Sequence, residues 1–164
     1  MSEHAHLDKM NLIELADRLA DLEGRRTPVG WSPDDAVERA AVERRIMELV
    51  GGTPPGSERR QNLRMPCEVK VRLRSKEQQV RAKVMDIGVG GVFCATKGEF
   101  EIGTNVQIEV RAHESEHGLR VRGSVAWKKG EGIGISFGDL KNADRERRLR
   151  RFVLELIRHR AANR

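Results

Sequence analysis

Met65-Pro66-Cys67-Glu68-Val69-Lys70-Val71-Arg72-Leu73-Arg74 is the stretch on which the fold turns. Cys67, Val69, Val71 and Leu73 alternate with Glu68, Lys70, Arg72 and Arg74. Successive side chains leave a strand on opposite sides, so a period of two describes a strand with one buried face. The pattern returns downstream. Val80, Ala82 and Val84 describe a second strand, Val92 to Ala95 a third, and Val106, Ile108 and Val110 a fourth. Leu119 to Trp127 give a fifth, and Ile133, Ile135 and Phe137 a sixth. Hairpin-length turns at Ser75 to Gln78, His113 to Gly118 and Lys129 to Gly132 join neighbours. Six short antiparallel strands with regular turns predict a closed or nearly closed β-barrel.

Helices flank this barrel. From Leu7 to Leu22 apolar residues recur at helical spacing, with Met10, Ile13, Ala16 and Leu19 near one stripe and Gly24 ending the run. Ser32 then supplies an N-cap, Pro33 the first helical position, and Asp34 and Asp35 an acidic first turn that suits the helix dipole. Val42, Ile46 and Leu49 carry the second helix to Gly51-Gly52. The expected organisation is an N-terminal helical hairpin over 1–50, a flexible Gly/Pro linker over 51–58, a barrel over 59–140 and a basic amphipathic helix over 141–164. In that last helix Leu149, Phe152, Val153, Leu156 and Ile157 follow i, i+3, i+4, i+7, i+8 spacing, as a cap on an open barrel end would. Its arginines, Arg145, Arg147, Arg148, Arg150 and Arg151, read as a solvated polar face. The class is mainly β with flanking helices.

Composition narrows the chemistry. In 164 residues, 38% are hydrophobic, 34% charged and 4% aromatic, which implies an ionic surface over an aliphatic core. A net charge of +6 favours polyanionic partners without choosing among nucleotide, nucleic acid and membrane. Met1 to His6 lack the pattern of a signal peptide, and no apolar run approaches the ~20 residues that span a bilayer. A cytoplasmic protein with no transmembrane segment is expected. Cys67 and Cys94 read as reduced, inert core thiols. His113-Glu114-Ser115-Glu116-His117 matches the zinc-protease string HExxH, but that chemistry needs both histidines on one helix face, and here the string occupies a hairpin loop. With no nucleophile–base arrangement and no GxxxxGK[ST] loop, the chain reads as a non-enzyme with no catalytic residues, metal or cofactor.

Two short stretches carry binding chemistry. Glu58-Arg59-Arg60-Gln61-Asn62-Leu63-Arg64 sets arginines at the end of the linker, and Asp86-Ile87-Gly88-Val89-Gly90-Gly91 reads as an acidic turn whose glycines take positive φ. An arginine fork fits both a phosphate and the O6/N7 edge of guanine, while a carboxylate accepts from the N1–H and N2–H₂ of the same base. The region from about Arg59 to Leu140 resembles the PilZ domain, the bacterial receptor module for cyclic di-GMP. Arg60 and Arg64 fill that family's RxxxR motif, with Arg59 as the additional arginine often found before it. Asp86 and Gly91 fill the ends of (D/N)xSxxG, and Gly88 stands where the serine belongs.

The resemblance implies a six-stranded PilZ-like barrel that binds cyclic di-GMP as a ligand. Arg60 and Arg64 would engage phosphates and guanine Hoogsteen edges with Arg59 assisting, Asp86 would read a guanine, Gly91 would permit close approach, and Gly88 would contribute backbone alone. Losing the serine's hydrogen bond costs on the order of 1 kcal/mol, roughly tenfold in affinity. The expected function is a receptor or adaptor. Nucleotide binding orders the arm, changes the arrangement of the helices and regulates a protein partner in motility, pili or surface behaviour. The alternative is a degenerate PilZ-like adaptor that contacts a protein and binds no nucleotide. A homodimer is compatible with either. Nonspecific nucleic-acid binding is disfavoured, because Trp127 reads as a barrel-end core residue and no aromatic stacking platform is expected.

Overall fold

The computed structural model describes residues 4–51, 64–110, 119–138 and 143–162. By contact the chain divides into two compact units, one of Met1–Arg64 with Ile157–Arg164 and one of Met65–Leu156. The expected linker from Gly52 to Glu58, the arginines Arg59 and Arg60, and the loop from His113 to Gly118 lie outside the described residues.

Six strands form the barrel: β1 (Arg64–Arg74), β2 (Gln79–Gly88), β3 (Gly91–Ala95), β4 (Asn105–Val110), β5 (Leu119–Lys129) and β6 (Gly132–Ser136). They close in the order β1-β2-β3-β6-β5-β4. The β1–β4, β2–β3, β3–β6, β4–β5 and β5–β6 ladders are antiparallel. Among the described residues, closure leaves these strands no free sheet edge. The six-stranded antiparallel barrel expected from the alternation is the one observed. Val69, Val71, Leu73, Val84, Val92, Ile108, Val121, Val125, Ile133 and Ile135 are all buried. Each contributes roughly 1.5–3 kcal/mol on leaving water. Ser75 holds the β1–β2 turn, its amide donating to the Gln78 carbonyl at 2.9 Å.

The helical unit departs from the sequence reading at its start. The apolar run from Leu7 to Leu22 is two elements, a 3-10 turn at Ala5–Lys9 and α1 at Leu12–Gly24. Asn11 separates them through a capping box, its side chain accepting from the Glu14 amide at 2.9 Å while the Glu14 carboxylate accepts from the Asn11 amide at 2.8 Å. Two amide donors at the helix start are thereby satisfied, which favours the break over a continuous helix. Starting at Leu12 also moves the stripe. Leu12, Leu15, Ala16, Leu19 and Leu22 are buried, and Ile13 is 50% exposed.

The second helix, α2, runs from Pro33 to Val50 as the sequence suggests, with Ser32 accepting from the Asp35 amide and Gly51 closing it at φ 75°. Arg18 on α1 donates to Glu38 on α2 at 2.6 Å. Trp31 donates from Nε1 to the Leu22 carbonyl at 2.8 Å, with the guanidinium groups of Arg26 and Arg39 at 4.8 and 4.4 Å from its ring. The third helix, α3, spans Ala143–Ala162, and its expected stripe of Leu149, Phe152, Val153, Leu156 and Ile157 is buried. Its final turns belong to the helical unit, where Arg158 pairs with Asp17 at 3.1 Å and Arg160 donates to the Val50 carbonyl at 3.2 Å.

Candidate functional site

Of the residues that the sequence singles out, Asp86, Gly88 and Gly91 lie together on the β2–β3 hairpin. Arg64 is the half-buried first residue of β1. The remaining two arginines, Arg59 and Arg60, fall outside the described residues.

The acidic stretch is a strand end and not a turn. Asp86 to Gly88 finish β2, only Val89 and Gly90 lie between the strands, and Gly91 already belongs to β3. Strand alternation continued from Val84 would point Asp86 into the barrel. A bulge between Val84 and Asp86 absorbs Met85, so that Asp86 pairs with Phe93 and Ile87 takes the inward place, 1% exposed. One extra residue thus keeps a carboxylate out of an aliphatic core, where an ionised group would be far more costly than outside.

The glycines also act differently from expectation. Neither Gly90 nor Gly91 adopts a positive φ. A Cβ at Gly91 would lie 2.6 Å from the Ile135 carbonyl oxygen, so the demand for glycine comes from the approach of β6. Gly90, by contrast, has open space around it. Gly88 is buried.

A second bulge, between Val125 and Trp127 on β5, produces a matching reversal. Trp127, expected in the core, is 40% exposed on the outer wall. Its ring stacks on Phe93 with centroids 5.1 Å apart and planes 9° from parallel. Glycines on β6 make room for both rings: a Cβ at Gly132 would strike Phe93, and one at Gly134 would strike the Trp127 indole. Asp86, Phe93, Gly134 and Trp127 are successive register partners across β2, β3, β6 and β5. The barrel therefore carries an aromatic pair on its surface, in one row with the acidic residue. Sequence reasoning missed the pair because alternation assigns Trp127 to the inside. The glycine spacing of Gly132 and Gly134 opposite two aromatic residues was the available signal.

The electrostatics around the row are cationic on one side. An open groove of about 1020 Å³ is lined by Lys70, Arg72, Arg81, Lys83 and Lys97, with Glu109 and Glu131 as its acidic members. Lys83 lies three residues before Asp86 and pairs with Glu68 at 3.1 Å. Behind Asp86, burial pushes the Cys94 thiol up to about 12, with smaller contributions from Cys67 and from the Asp86 charge. Cys94 is thus an inert core thiol, as expected. Cys67 is half-buried. Among the described residues no helix is long and apolar enough to cross a membrane.

Residues 58–155 match the PilZ domain family, and the chain belongs to it. One solved structure agrees in fold. The PilZ domain of YcgR from Escherichia coli, determined with c-di-GMP, superposes with a TM-score of 0.51 at 16% identity, covering 65% of this chain and 96% of that one. The inhibitor of motility MotI/DgrA from Bacillus subtilis gives 0.46 at 18% identity, covering 66% of this chain. The chain spans 59% of that protein's length. The PilZ domain of CeSA from a cellulose-synthesizing bacterium gives 0.48 at 18% identity, covering 57% of this chain and 96% of that domain. At 16% identity the likeness to the YcgR domain is one of fold. No curated protein matches the sequence.

Proposed function

We propose that this chain is a bacterial, cytoplasmic cyclic di-GMP receptor of the adaptor type. The nucleotide lies against the outer wall of the barrel at the β2–β3 hairpin. Arg60 and Arg64 hold phosphates and guanine Hoogsteen edges, with Arg59 assisting. Asp86 accepts from the N1–H and N2–H₂ edge of a guanine, Gly91 allows close approach, and Gly88 offers backbone alone. Closure of the arginine segment on the ligand changes the arrangement of the helices and so the hold on a protein partner in motility, pili or surface behaviour. The observation that carries this reading is Asp86, turned out of the core by a bulge in a chain that belongs to the PilZ family.

Isothermal titration calorimetry with cyclic di-GMP tests it. Wild type binds, and Arg60→Ala, Arg64→Ala and Asp86→Ala each weaken binding roughly tenfold to a hundredfold, as expected for lost hydrogen bonds to charged groups. The barrel stays folded in each. Unchanged titrations for all three variants would reject the site.

A second reading is favoured by Gly88 in place of the motif serine and by the cationic groove beside the hairpin. In it the chain is an adaptor that binds an acidic protein surface and no nucleotide. A ligand selective for the folded state must raise the melting temperature, by an amount worth about 2.7 kcal/mol at a hundred times Kd. Absence of any shift at millimolar cyclic di-GMP selects the adaptor.

A further inference from the structure

We infer that the wall of β1, β4 and β5 holds a second binding site, for a small oligophosphate recognised through its oxyanions. The site is separate from the arginine and aspartate motifs, since β4 stands three strands from β3 in either direction round the barrel. Two rows of registered side chains show how it arises, both on the outer face because Val106, Ile108 and Val110 alternate with them into the core. In the first row Arg72 faces Glu109 and Glu109 faces Arg120, with the Arg120 guanidinium 3.7 Å from the Glu109 carboxylate. Each arginine there has an acid beside it. In the next row Arg74 faces Gln107 and Gln107 faces Arg122. An amide stands where the first row has its acid. Opposite charges across a ladder stabilise it and like charges do not, so the second row sets two cations about one neutral side chain.

An open cavity of about 580 Å³ lies over this row, lined by Arg74, Lys76, Asn105, Gln107, Arg122 and Ser124. Among the described residues its lining holds no carboxylate. Arg74 donates from Nη2 to the Gln79 side-chain oxygen at 3.2 Å, a bond to a neutral amide that leaves its charge uncompensated. Two guanidiniums, an ammonium, two amides and a hydroxyl thus offer donors from several sides. Arg74 and Arg122 stand two strand spacings apart, roughly 9.5 Å. Linked phosphates fit that width, each taking the planar fork of one arginine. The cavity volume falls in the range of small-ligand sites. A base would find no face to stack on, since Phe137, the aromatic member of the lining, is buried. That favours a free oligophosphate over single-stranded nucleic acid. Val106 is buried as well, so the lining offers no apolar side chain to a lipid surface.

The full chain is titrated by calorimetry with inorganic tripolyphosphate at physiological ionic strength, and in parallel with inorganic phosphate, cyclic di-GMP, oligo(dT) and anionic lipid vesicles. Tripolyphosphate should bind saturably, more tightly than inorganic phosphate, and raise the melting temperature. Arg74→Gln and Arg122→Gln should each weaken it roughly tenfold to a hundredfold, and Arg122→Gln should leave the cyclic di-GMP titration unchanged. Gln107→Glu is the sharper variant, because it supplies the absent acid and removes neither cation. It should melt no lower than wild type yet bind tripolyphosphate at least about tenfold more weakly. Arg120→Gln removes the same charge from the compensated row and should stay within about threefold of wild type. The site is refuted if tripolyphosphate does not bind, if Gln107→Glu and Arg122→Gln bind it as tightly as wild type, or if Arg120→Gln loses as much as Arg122→Gln. Equal affinity for inorganic phosphate would overturn the choice of an oligophosphate. Tighter binding of oligo(dT) or vesicles, lost in the same variants, would reassign the wall and overturn the proposal. Displacement of tripolyphosphate by cyclic di-GMP would show one site in place of two, whereas failure of cyclic di-GMP to bind at all sinks the receptor reading and leaves this one standing.

Discussion

Gly91→Ala separates the structural from the ligand-binding meaning of the motif glycine. A methyl at this position would lie 2.6 Å from the Ile135 carbonyl oxygen and 3.6 Å from the Ser136 Cα. Contact between carbon and oxygen is comfortable near 3.3–3.6 Å, so β3 and β6 must part by several tenths of an ångström. The atom in the way is backbone and cannot rotate aside. Overpacking of this kind costs about 1–3 kcal/mol. In a domain of roughly 100 residues each kcal/mol moves the melting temperature by about 4–8 °C, so Gly91→Ala should melt some 5–20 °C below wild type with no ligand present. Gly90→Ala is the control, one residue away with open space around it and a φ outside the left-handed region. It should stay within about 0.5 kcal/mol of wild type. Calorimetry or urea unfolding of the three proteins without nucleotide decides the matter. Equal melting of Gly91→Ala and wild type, or equal losses for both variants, would refute the account of β3–β6 packing. In the expected case, weak nucleotide binding by Gly91→Ala reports a disturbed barrel before it reports a lost ligand contact.

Two further outcomes follow from the titratable groups. The hydrogen bond from Arg18 holds the Glu38 carboxyl below its ordinary value of 4.5. The folded chain thus keeps this charge at a pH where the unfolded chain has taken up a proton. The pair's contribution is complete above the unfolded pKa and is lost as pH falls through the folded one. Glu38→Gln should cost about 1 kcal/mol at pH 7, discounted for partial exposure, and thermal melts of variant and wild type should converge as pH drops below about 4. A gap that stays constant down to pH 2.5 would contradict this. For Cys94, a thiol pushed up to about 12 is thiolate in about one molecule in ten thousand at pH 8. Native-state iodoacetamide labelling read by peptide mass spectrometry should leave Cys94 unmodified until the protein is denatured, and modification at the rate of a free thiol would show that the barrel interior is open.

The sequence by itself determined whatever depends on near neighbours along the chain. The period-two run from Cys67 to Leu73 fixed a half-buried strand, since strand geometry sets side-chain direction residue by residue. Ser32, Pro33 and Gly51 bounded α2 for the same local reason, each meeting a requirement of the helix end beside it. The Asn11 and Glu14 capping box was equally local, and it lay hidden only beneath an apolar periodicity that runs through it. The RxxxR and (D/N)xSxxG spacing was enough to identify the family. Tertiary structure alone decided the bulges. Whether β2 and β5 each carry one extra residue depends on register against β3 and β6, which contact them across the sheet rather than along the chain. Those two insertions reverse Asp86 and Trp127 from the inside to the outside, and so the wall that a ligand would meet was written in the pairing of strands and not in their order.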